Sequence, residues 1–208
     1  MANLLSQRKP LIEWGVALRA MPGEKVSGDS HLVMELPQRT LAAVVDGLGH
    51  GREATAAATA AISVLEANNS ESLISMVKRC HEALLKSRGA VMTVASFNRA
   101  DDTLTWLSVG NVSGLLLRAD PKSAPSSQSS LLRAGVVGFQ LPMLRPGVVA
   151  LFPRDLLILA TDGIRDDFER SINAAAAPQQ IADRVMDLHF KGHDDAAVLV
   201  MRYLGNSL

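Results

Sequence analysis

The sequence predicts a layered α/β (α+β) sandwich that is built on antiparallel strands. Apolar strand-like runs and alanine-rich helical runs follow one another in blocks, and they do not alternate as regular βαβ units. A doubly wound parallel sheet needs that regular alternation, so the block order favours antiparallel sheets covered by helices. With 208 residues the chain can form one domain with a substantial core, and we predict a single domain over residues 1–208.

Three strands and two helices are predicted in the first part of the chain. The strands are expected at residues 12–20, 31–36 and 40–45, and the helices at 52–66 and from about 73 to 89. The second and third strands form a hairpin with its turn at residues 37–39. The apolar positions Leu73, Val77, Cys80 and Leu84 recur at helical spacing, which gives the second helix one apolar face.

The rest of the chain is predicted to contain more strands and one more helix. Strands are expected at residues 90–97, 103–110, 114–119, 147–152, 155–164 and 194–203. The segment 120–130 is rich in proline and serine, which predicts a mobile hairpin loop. Residues 178–189 fit a helix, because Pro178 stands at the first helical position, where proline is tolerated.

Charge and cysteine content exclude several classes of protein. The 21 basic and 21 acidic side chains balance to zero net charge, so no nucleic-acid partner is expected. Cys80 is the only cysteine, so no internal disulfide can form and a cytoplasmic location fits best. Residues 1–10 lack the apolar region of a signal peptide, and no apolar run is long enough to cross a membrane.

Four aspartates stand at the predicted ends of strands. Asp46 and Asp162 each follow an aliphatic run and precede a glycine, whereas Asp194 begins the last strand and Asp29 precedes the strand at His31. If these strands pair antiparallel, all four carboxylates lie at the same end of the sheets. A single Asp-Gly pair after a strand is usually an ordinary turn, but the repetition in one small domain favours a ligand site.

A cluster of carboxylates needs a cation to be stable. Two carboxylates about 4 Å apart repel by about 4 kcal/mol at an effective dielectric constant of 20, against a typical net stability of about 5–15 kcal/mol. A set of oxygen ligands without cysteine or histidine suits Mg²⁺ or Mn²⁺ rather than Zn²⁺. The glycine after Asp46 lets the backbone approach closely, so the carbonyl of Gly47 is a further candidate ligand.

Two other interpretations fail on the residues themselves. Residues 23–30 have the glycine and serine spacing of a phosphate-binding P-loop, but Asp29 stands where the loop needs a lysine and would repel phosphate. Ser108 lacks the nucleophile elbow of a serine hydrolase. A nucleotide-binding loop and a serine nucleophile are therefore not expected.

Five short motifs resemble, in their order along the chain, those of the metal-dependent serine/threonine protein phosphatases (type 2C, PPM family). The motifs are "SGDS", "VVDGLGHG", "SVGN", "ATDGI" and "HDDAAVLV", within a match from about Ile12 to Tyr203. Each motif is weak alone, but the ordered set is specific. The bacterial sporulation-phosphatase branch is the most similar, and within it the small stressosome phosphatases.

The resemblance implies a fold and a set of ligands. The fold would be a four-layer α-β-β-α sandwich of two antiparallel sheets flanked by helices, in a single type-2C-like domain. Asp46 would bridge two divalent cations, Mn²⁺ or Mg²⁺, and the backbone carbonyl of Gly47 would bind one of them. Asp162 and Asp194 would complete the other metal site, and Asp29 would act directly or through a water.

The chain departs from its larger relatives at two functional positions. Those relatives have an arginine upstream of the early acidic residue, whereas residues 21–27 here contain none, and Lys25 is the candidate phosphate-binding residue. They also have histidine directly after Asp-Gly, where this chain has Leu48. His50 is the candidate catalytic acid, with a turn-exposed histidine of no catalytic role as the alternative. The segment 134–147 is too short for the flap subdomain of larger members.

The implied activity is hydrolysis of phosphoserine or phosphothreonine on a protein without a covalent enzyme intermediate. By resemblance, the substrate would be a phosphorylated STAS-domain protein of the stressosome, and the enzyme is expected to be a cytoplasmic monomer. A phosphatase acting on a free anti-anti-sigma factor is the alternative within the family. A non-catalytic pseudo-phosphatase that binds a partner and a phosphohydrolase of small molecules remain open alternatives.

Overall fold

Two five-stranded sheets form the centre of the molecule in a computed structural model, which describes residues 9–120 and 122–205. In chain order the strands of this part are β1 Ile12–Arg19, β2 Asp29–Glu35, β3 Arg39–Gly47, β4 Ala90–Asn98, β5 Thr103–Val109, β6 Ser113–Leu117, β7 Ser127–Ser129, β8 Gly147–Ala150, β9 Leu156–Ala160 and β10 Ala196–Tyr203. One sheet has the order β1-β10-β9-β6-β7 and the other β2-β3-β4-β5-β8. Neighbouring strands pair antiparallel throughout, as predicted.

Helices cover the outer face of each sheet. They are α1 Gly51–Ala67, α2 Leu73–Leu84 and α3 Pro178–His189. α1 and α2 pack on the β2-β3-β4-β5-β8 sheet, and α3 packs on β1 and β10 of the other sheet. The layers therefore follow the order α-β-β-α, which confirms the predicted fold class.

The central strands read as continuous apolar runs because both of their faces are buried. Side chains of a strand alternate between the two faces of its sheet. In β10, Leu199 and Met201 lie in the core between the sheets, whereas Val198 and Val200 lie in the core beneath α3. Alternation of apolar and polar residues is consequently lost in β10, and only the length of the run marks it as a strand.

Two predictions differ from the structure at polar segments. The segment 120–130, predicted as a mobile loop, contains the edge strand β7, whose Ser129 pairs with Leu115 of β6. A short polar edge strand has no buried face, so its sequence lacks the apolar signal of a strand. A short 3-10 helix at Asp166–Ser171 was also not predicted, and α2 ends at Leu84, one turn before the predicted glycine stop.

The membrane prediction can be compared with the helices of the described part. None of the helices in residues 9–120 and 122–205 combines the length and the apolar character needed to cross a bilayer. Residues 1–8, on which most of the signal-peptide prediction falls, lie outside the described residues.

Candidate metal centre

The four predicted aspartates come together where strands of the two sheets end. Asp29 is the first residue of β2 and lies opposite Asp46 of β3 in the strand register. Asp162 follows β9 and Asp194 precedes β10, and these two strands are antiparallel neighbours. The carboxylate of Asp46 consequently interacts with the other three. The geometric prediction, that antiparallel pairing gathers these side chains at one end, agrees with the structure.

An open cavity of about 580 Å³ lies beside this cluster. Its wall includes Asp46, Asp162, Asp194 and Asn111, and an apolar side is contributed by residues such as Leu132. This volume is within the range of small-ligand sites. The cavity therefore offers three carboxylates to a ligand that approaches from solvent, while Asp29 stands behind them and is only 6% exposed.

Burial and mutual repulsion raise the pKa values of the two deepest carboxyl groups. Burial is the main cause at Asp46, whose pKa rises to about 8, and repulsion from Asp29, Asp162 and Asp194 adds to it. Burial also raises the pKa of Asp29 to about 7, although Thr161 Oγ1 donates a 2.8 Å hydrogen bond to its Oδ2 and opposes the rise. The folded chain thus disfavours charge at this pair unless a cation compensates for it.

Asp162 is held by a residue that the sequence analysis did not select. Asn111 Nδ2 donates a 2.7 Å hydrogen bond to Asp162 Oδ2. Burial and then Asp194 raise the pKa of Asp162, whereas Lys191, His193 and the hydrogen bond from Asn111 lower it. Asn111 is the last residue of the "SVGN" motif. The motif therefore indicated that this segment belongs to the site, but it did not show that the Asn111 side chain would bind Asp162.

Asp195 is a second residue that the sequence analysis missed. It is 3% exposed, and its carboxylate accepts hydrogen bonds from the backbone N–H groups of Met21 at 2.8 Å and Gly28 at 2.7 Å. These bonds tie the β1–β2 loop to the start of β10. The two consecutive aspartates therefore have different roles. Asp194 lines the cavity, whereas Asp195 holds the loop that leads to Asp29.

The glycines after Asp46 and Asp162 are required by packing. A Cβ atom on Gly47 would lie 2.1 Å from the carbonyl oxygen of Ala54 in α1, and one on Gly163 would lie 2.0 Å from that of Asp195. No real Cβ makes such contacts, so both positions exclude a side chain. The role of the Gly47 carbonyl as a metal ligand stays a prediction.

Lys25 and His50 do not line the cavity. Lys25 is exposed on the β1–β2 loop, and His50 is exposed directly before α1. His50 Nδ1 is 2.6 Å from Glu24 Oε1, and the histidine side chain is 55% exposed. Their predicted roles therefore stay predictions.

Arg88 is a cation in contact with the cavity wall. A Cβ atom built on Gly49, which lines the cavity, would lie 2.6 Å from Arg88 Nη1. Arg88 Nε also pairs with Glu53 Oε2 at 2.5 Å. The sequence analysis gave this arginine no role, because 39 residues separate it from Gly49 and only the adjacency of β3 and β4 brings the two together.

The donor set fits a hard divalent cation by its chemistry. Within residues 9–120 and 122–205, no three side chains of His, Cys, Asp or Glu are already close enough to enclose an ion. Carboxylates from separate strand ends repel one another and do not close without a positive charge between them. All four side chains offer oxygen ligands, which Mg²⁺ and Mn²⁺ prefer. The pKa values of Asp29, Asp46 and Asp162 are raised, and a bound divalent cation would lower them by compensating the negative charge.

Comparison with known proteins gives a family match over most of the chain. The family model described as stage II sporulation protein E (SpoIIE) matches residues 37–204. Phosphoserine phosphatase RsbX of Bacillus subtilis (strain 168) is 33% identical over 94 residues, which are 45% of this chain and 47% of that protein. The match thus spans about half the length of this curated relative.

Solved structures share the same architecture over nearly the whole chain. One, from work on the bacterial stressosome as a modular system adapted to control secondary messenger signalling, has a TM-score of 0.84 and 29% identity. It covers 92% of this chain and 99% of that chain. The structure of RsbX in complex with magnesium has a TM-score of 0.82 and 23% identity, covering 95% and 98% respectively. Because the family model spans well over half of its residues, the chain belongs to the SpoIIE family of type 2C (PPM) protein phosphatases.

Proposed function

We propose that the chain is a Mn²⁺- or Mg²⁺-dependent protein serine/threonine phosphatase. The observation that carries this proposal is the convergence of Asp29, Asp46, Asp162 and Asp194 beside one open cavity, with three of their pKa values raised. A phosphomonoester carries about −1.5 to −2 charges at pH 7. Such a group enters a site of four carboxylates only if bound cations reverse the local negative charge. The set of oxygen ligands suits two divalent cations.

The aspartates would hold the cations, and neighbouring residues would orient the aspartates. Asp46 would bridge the two ions, with Asp29, Asp162, Asp194 and the carbonyl of Gly47 as the other ligands. Divalent cations supply charge neutralisation and lower the pKa of a bound water, so that no protein nucleophile is required. Thr161 fixes the side chain of Asp29, just as Asn111 fixes that of Asp162.

A cationic side chain would bind the phosphate, and a histidine would protonate the leaving oxygen. Lys25 is proposed as a phosphate-binding residue, and Arg88 is a second candidate because it contacts Gly49 of the cavity wall. His50 is proposed to protonate the leaving serine or threonine oxygen.

A phosphorylated STAS-domain protein of the stressosome is the proposed substrate. RsbX, a phosphoserine phosphatase, is a relative in sequence, and a structure from stressosome work matches 92% of this chain at 29% identity. We expect a cytoplasmic monomer that meets its substrate briefly through an interface below about 1,200 Å², since a neutral chain of this size has no charge to hold it there.

Phosphate release from matched substrates tests this proposal. The assay compares a phosphorylated scaffold STAS protein, a phosphorylated free anti-anti-sigma protein and a small phosphomonoester, each with Mn²⁺, with Mg²⁺ or with a chelator. We expect release from the scaffold protein to be the fastest, to stop in chelator and to return with Mn²⁺ or Mg²⁺. Full activity in chelator would contradict the metal-dependent mechanism.

The other outcomes identify the alternatives. Much faster release from the free factor would assign the enzyme to the anti-anti-sigma pathway. Fast turnover of the small phosphomonoester alone would indicate a phosphohydrolase of small molecules. Binding of the scaffold protein without any phosphate release would identify a pseudo-phosphatase.

A further inference from the structure

A second cavity lies at the open side of the sandwich, between the edge strands β7 and β8. Its volume is about 340 Å³, and none of the residues that line it is acidic. Its lining includes Trp106, Gln128, Ser129, Arg133, Arg145 and Val148. β7 and β8 are the outermost strands of their two sheets. The cavity therefore opens beside two strand edges whose outer backbone groups face away from the sheets.

Two arginines in this cavity have no acidic partner within the described residues. The ion pairs found in residues 9–120 and 122–205 include neither Arg133 nor Arg145. Arg133 Nε is buried and makes no hydrogen bond, while Arg145 Nε donates only to the thioether of Met143 at 3.2 Å. Guanidinium groups without a counter-charge attract oxyanions, which they bind through paired N–H donors.

One chain segment separates this cavity from the metal centre. Along residues 131–134 the side chains alternate: Leu131 and Arg133 line the second cavity, whereas Leu132 and Ala134 line the first. The carbonyl oxygen of Arg133 accepts a 2.8 Å hydrogen bond from the N–H of Gly110, the residue before Asn111. A molecule bound at the metal centre is thus close enough to reach the second cavity as well.

We propose that this second cavity, defined by Arg133 and Arg145, binds an acidic side chain of the protein substrate at a distance from its phosphorylated residue. The inference rests on the proposed phosphatase function and names a feature of its substrate. The cavity has roughly ten times the ~30 Å³ share of one water molecule, so it has room for a side chain behind the carboxylate. The nearly buried Trp106 and the exposed Val148 would pack against the aliphatic part of that side chain. The edges of β7 and β8 could pair with an extended segment that carries it.

Turnover of a peptide series tests the proposal. Each phosphoserine peptide carries one glutamate, placed at successive distances from the phosphoserine, and has a counterpart with glutamine at that position. We expect one position at which glutamate raises kcat/KM roughly tenfold, the size of one charge-assisted hydrogen bond. The double variant Arg133→Gln/Arg145→Gln should lose that preference and keep its turnover of p-nitrophenyl phosphate.

A matched variant controls for net charge. Lys78→Gln/Lys86→Gln removes two exposed charges on α2 and just after it, and it should keep the preference for glutamate. Melting temperatures and circular dichroism would show that both double variants are folded. Either an absent glutamate preference in the parent protein or its survival in Arg133→Gln/Arg145→Gln would overturn the proposal.

A binding arm separates this inference from the proposed function. Unphosphorylated glutamate and glutamine peptides, labelled for fluorescence anisotropy, need no turnover. If the parent protein releases no phosphate from any substrate, the phosphatase proposal fails, yet roughly tenfold tighter binding of glutamate peptides that depends on Arg133 and Arg145 would uphold the pocket. Equal binding of all peptides to parent and variant would overturn it. Arg133-dependent thermal stabilisation by inorganic phosphate alone would assign the pocket to a free anion and also overturn it.

Discussion

At the scale of single residues, Asp46 has the most unfavourable environment for a charge. Burial, followed by repulsion from four neighbouring aspartates, raises its pKa to about 8. We expect Asp46→Asn to abolish phosphate release, because the variant loses the carboxylate that is proposed to bridge the two cations. In chelator at about pH 8.5 its melting temperature should be unchanged or higher, since the substitution removes a repelling charge.

The comparison for this variant is Glu82→Gln, which neutralises an exposed carboxylate on α2. That control should keep both the parent rate and the parent melting temperature. An Asp46→Asn protein with near-normal turnover, or one that is unfolded in chelator, would contradict the assignment of Asp46.

Arg88 and Lys25 can be compared as phosphate-binding residues. Arg88 contacts Gly49 of the cavity wall, whereas Lys25 is exposed on the β1–β2 loop. We expect Arg88→Met to raise the KM for a phosphopeptide by roughly tenfold, with a smaller change in kcat. Lys25→Met should change KM less than about twofold. A larger effect of Lys25→Met in steady-state kinetics would favour the lysine instead.

At the scale of elements, the contact between β3 and α1 decides where Asp46 lies. Gly47→Ala would place a Cβ atom 2.1 Å from the carbonyl oxygen of Ala54, so α1 must shift. We expect a loss of about 2–3 kcal/mol in the free energy of unfolding, measured in urea, together with reduced turnover. Gly23→Ala is the comparison without a steric clash, because its Cβ would contact nothing and its loss of about 1–2 kcal/mol would come from the positive φ alone. Equal losses in the two variants would show that close packing at Gly47 is not the cause.

At the scale of the whole molecule, stability without metal should fall as pH rises. Asp29 and Asp46 have pKa values of about 7 and about 8 in the folded chain, against 3.8 for an unperturbed aspartate. Between these limits the folded state binds more protons than the unfolded state, so the free energy of unfolding decreases with pH. We expect the melting temperature in chelator to be lower at about pH 8.5 than at about pH 6.

Two comparisons attribute this pH dependence to the aspartate cluster. Asp46→Asn should flatten it, because that variant has one perturbed carboxyl group fewer. Saturating Mn²⁺ should raise the melting temperature most at high pH, where the ligands are ionised. A melting temperature in chelator that is constant or rises between about pH 6 and 8.5 would contradict the raised pKa values.

Much of the fold could be predicted from local sequence. α3 begins at Pro178 and ends at His189 as predicted. Each predicted strand that rests on an aliphatic run overlaps a strand of the structure. Such elements carry their own signal, namely hydrophobic periodicity or a helix-starting proline. The edge strand β7 has no buried apolar side chain, so the sequence predicted a loop there. The 3-10 helix buries only Phe168, which is too little to form a periodic pattern, and the sequence did not predict it.

The sequence by itself determined the antiparallel fold class and the convergence of the four aspartates. Strand patterns and turns are local features of the sequence, and antiparallel pairing places the end of one strand beside the start of the next. Only the tertiary structure decided which side chains support them. Asn111 reaches Asp162 across 51 residues and Asp195 reaches Gly28 across 167, and no local pattern records contacts of that separation. The same holds for Arg88, which lies beside Gly49 because β3 and β4 are neighbours in the sheet. It also holds for the cavity of Arg133 and Arg145, which forms because β7 and β8 are edge strands.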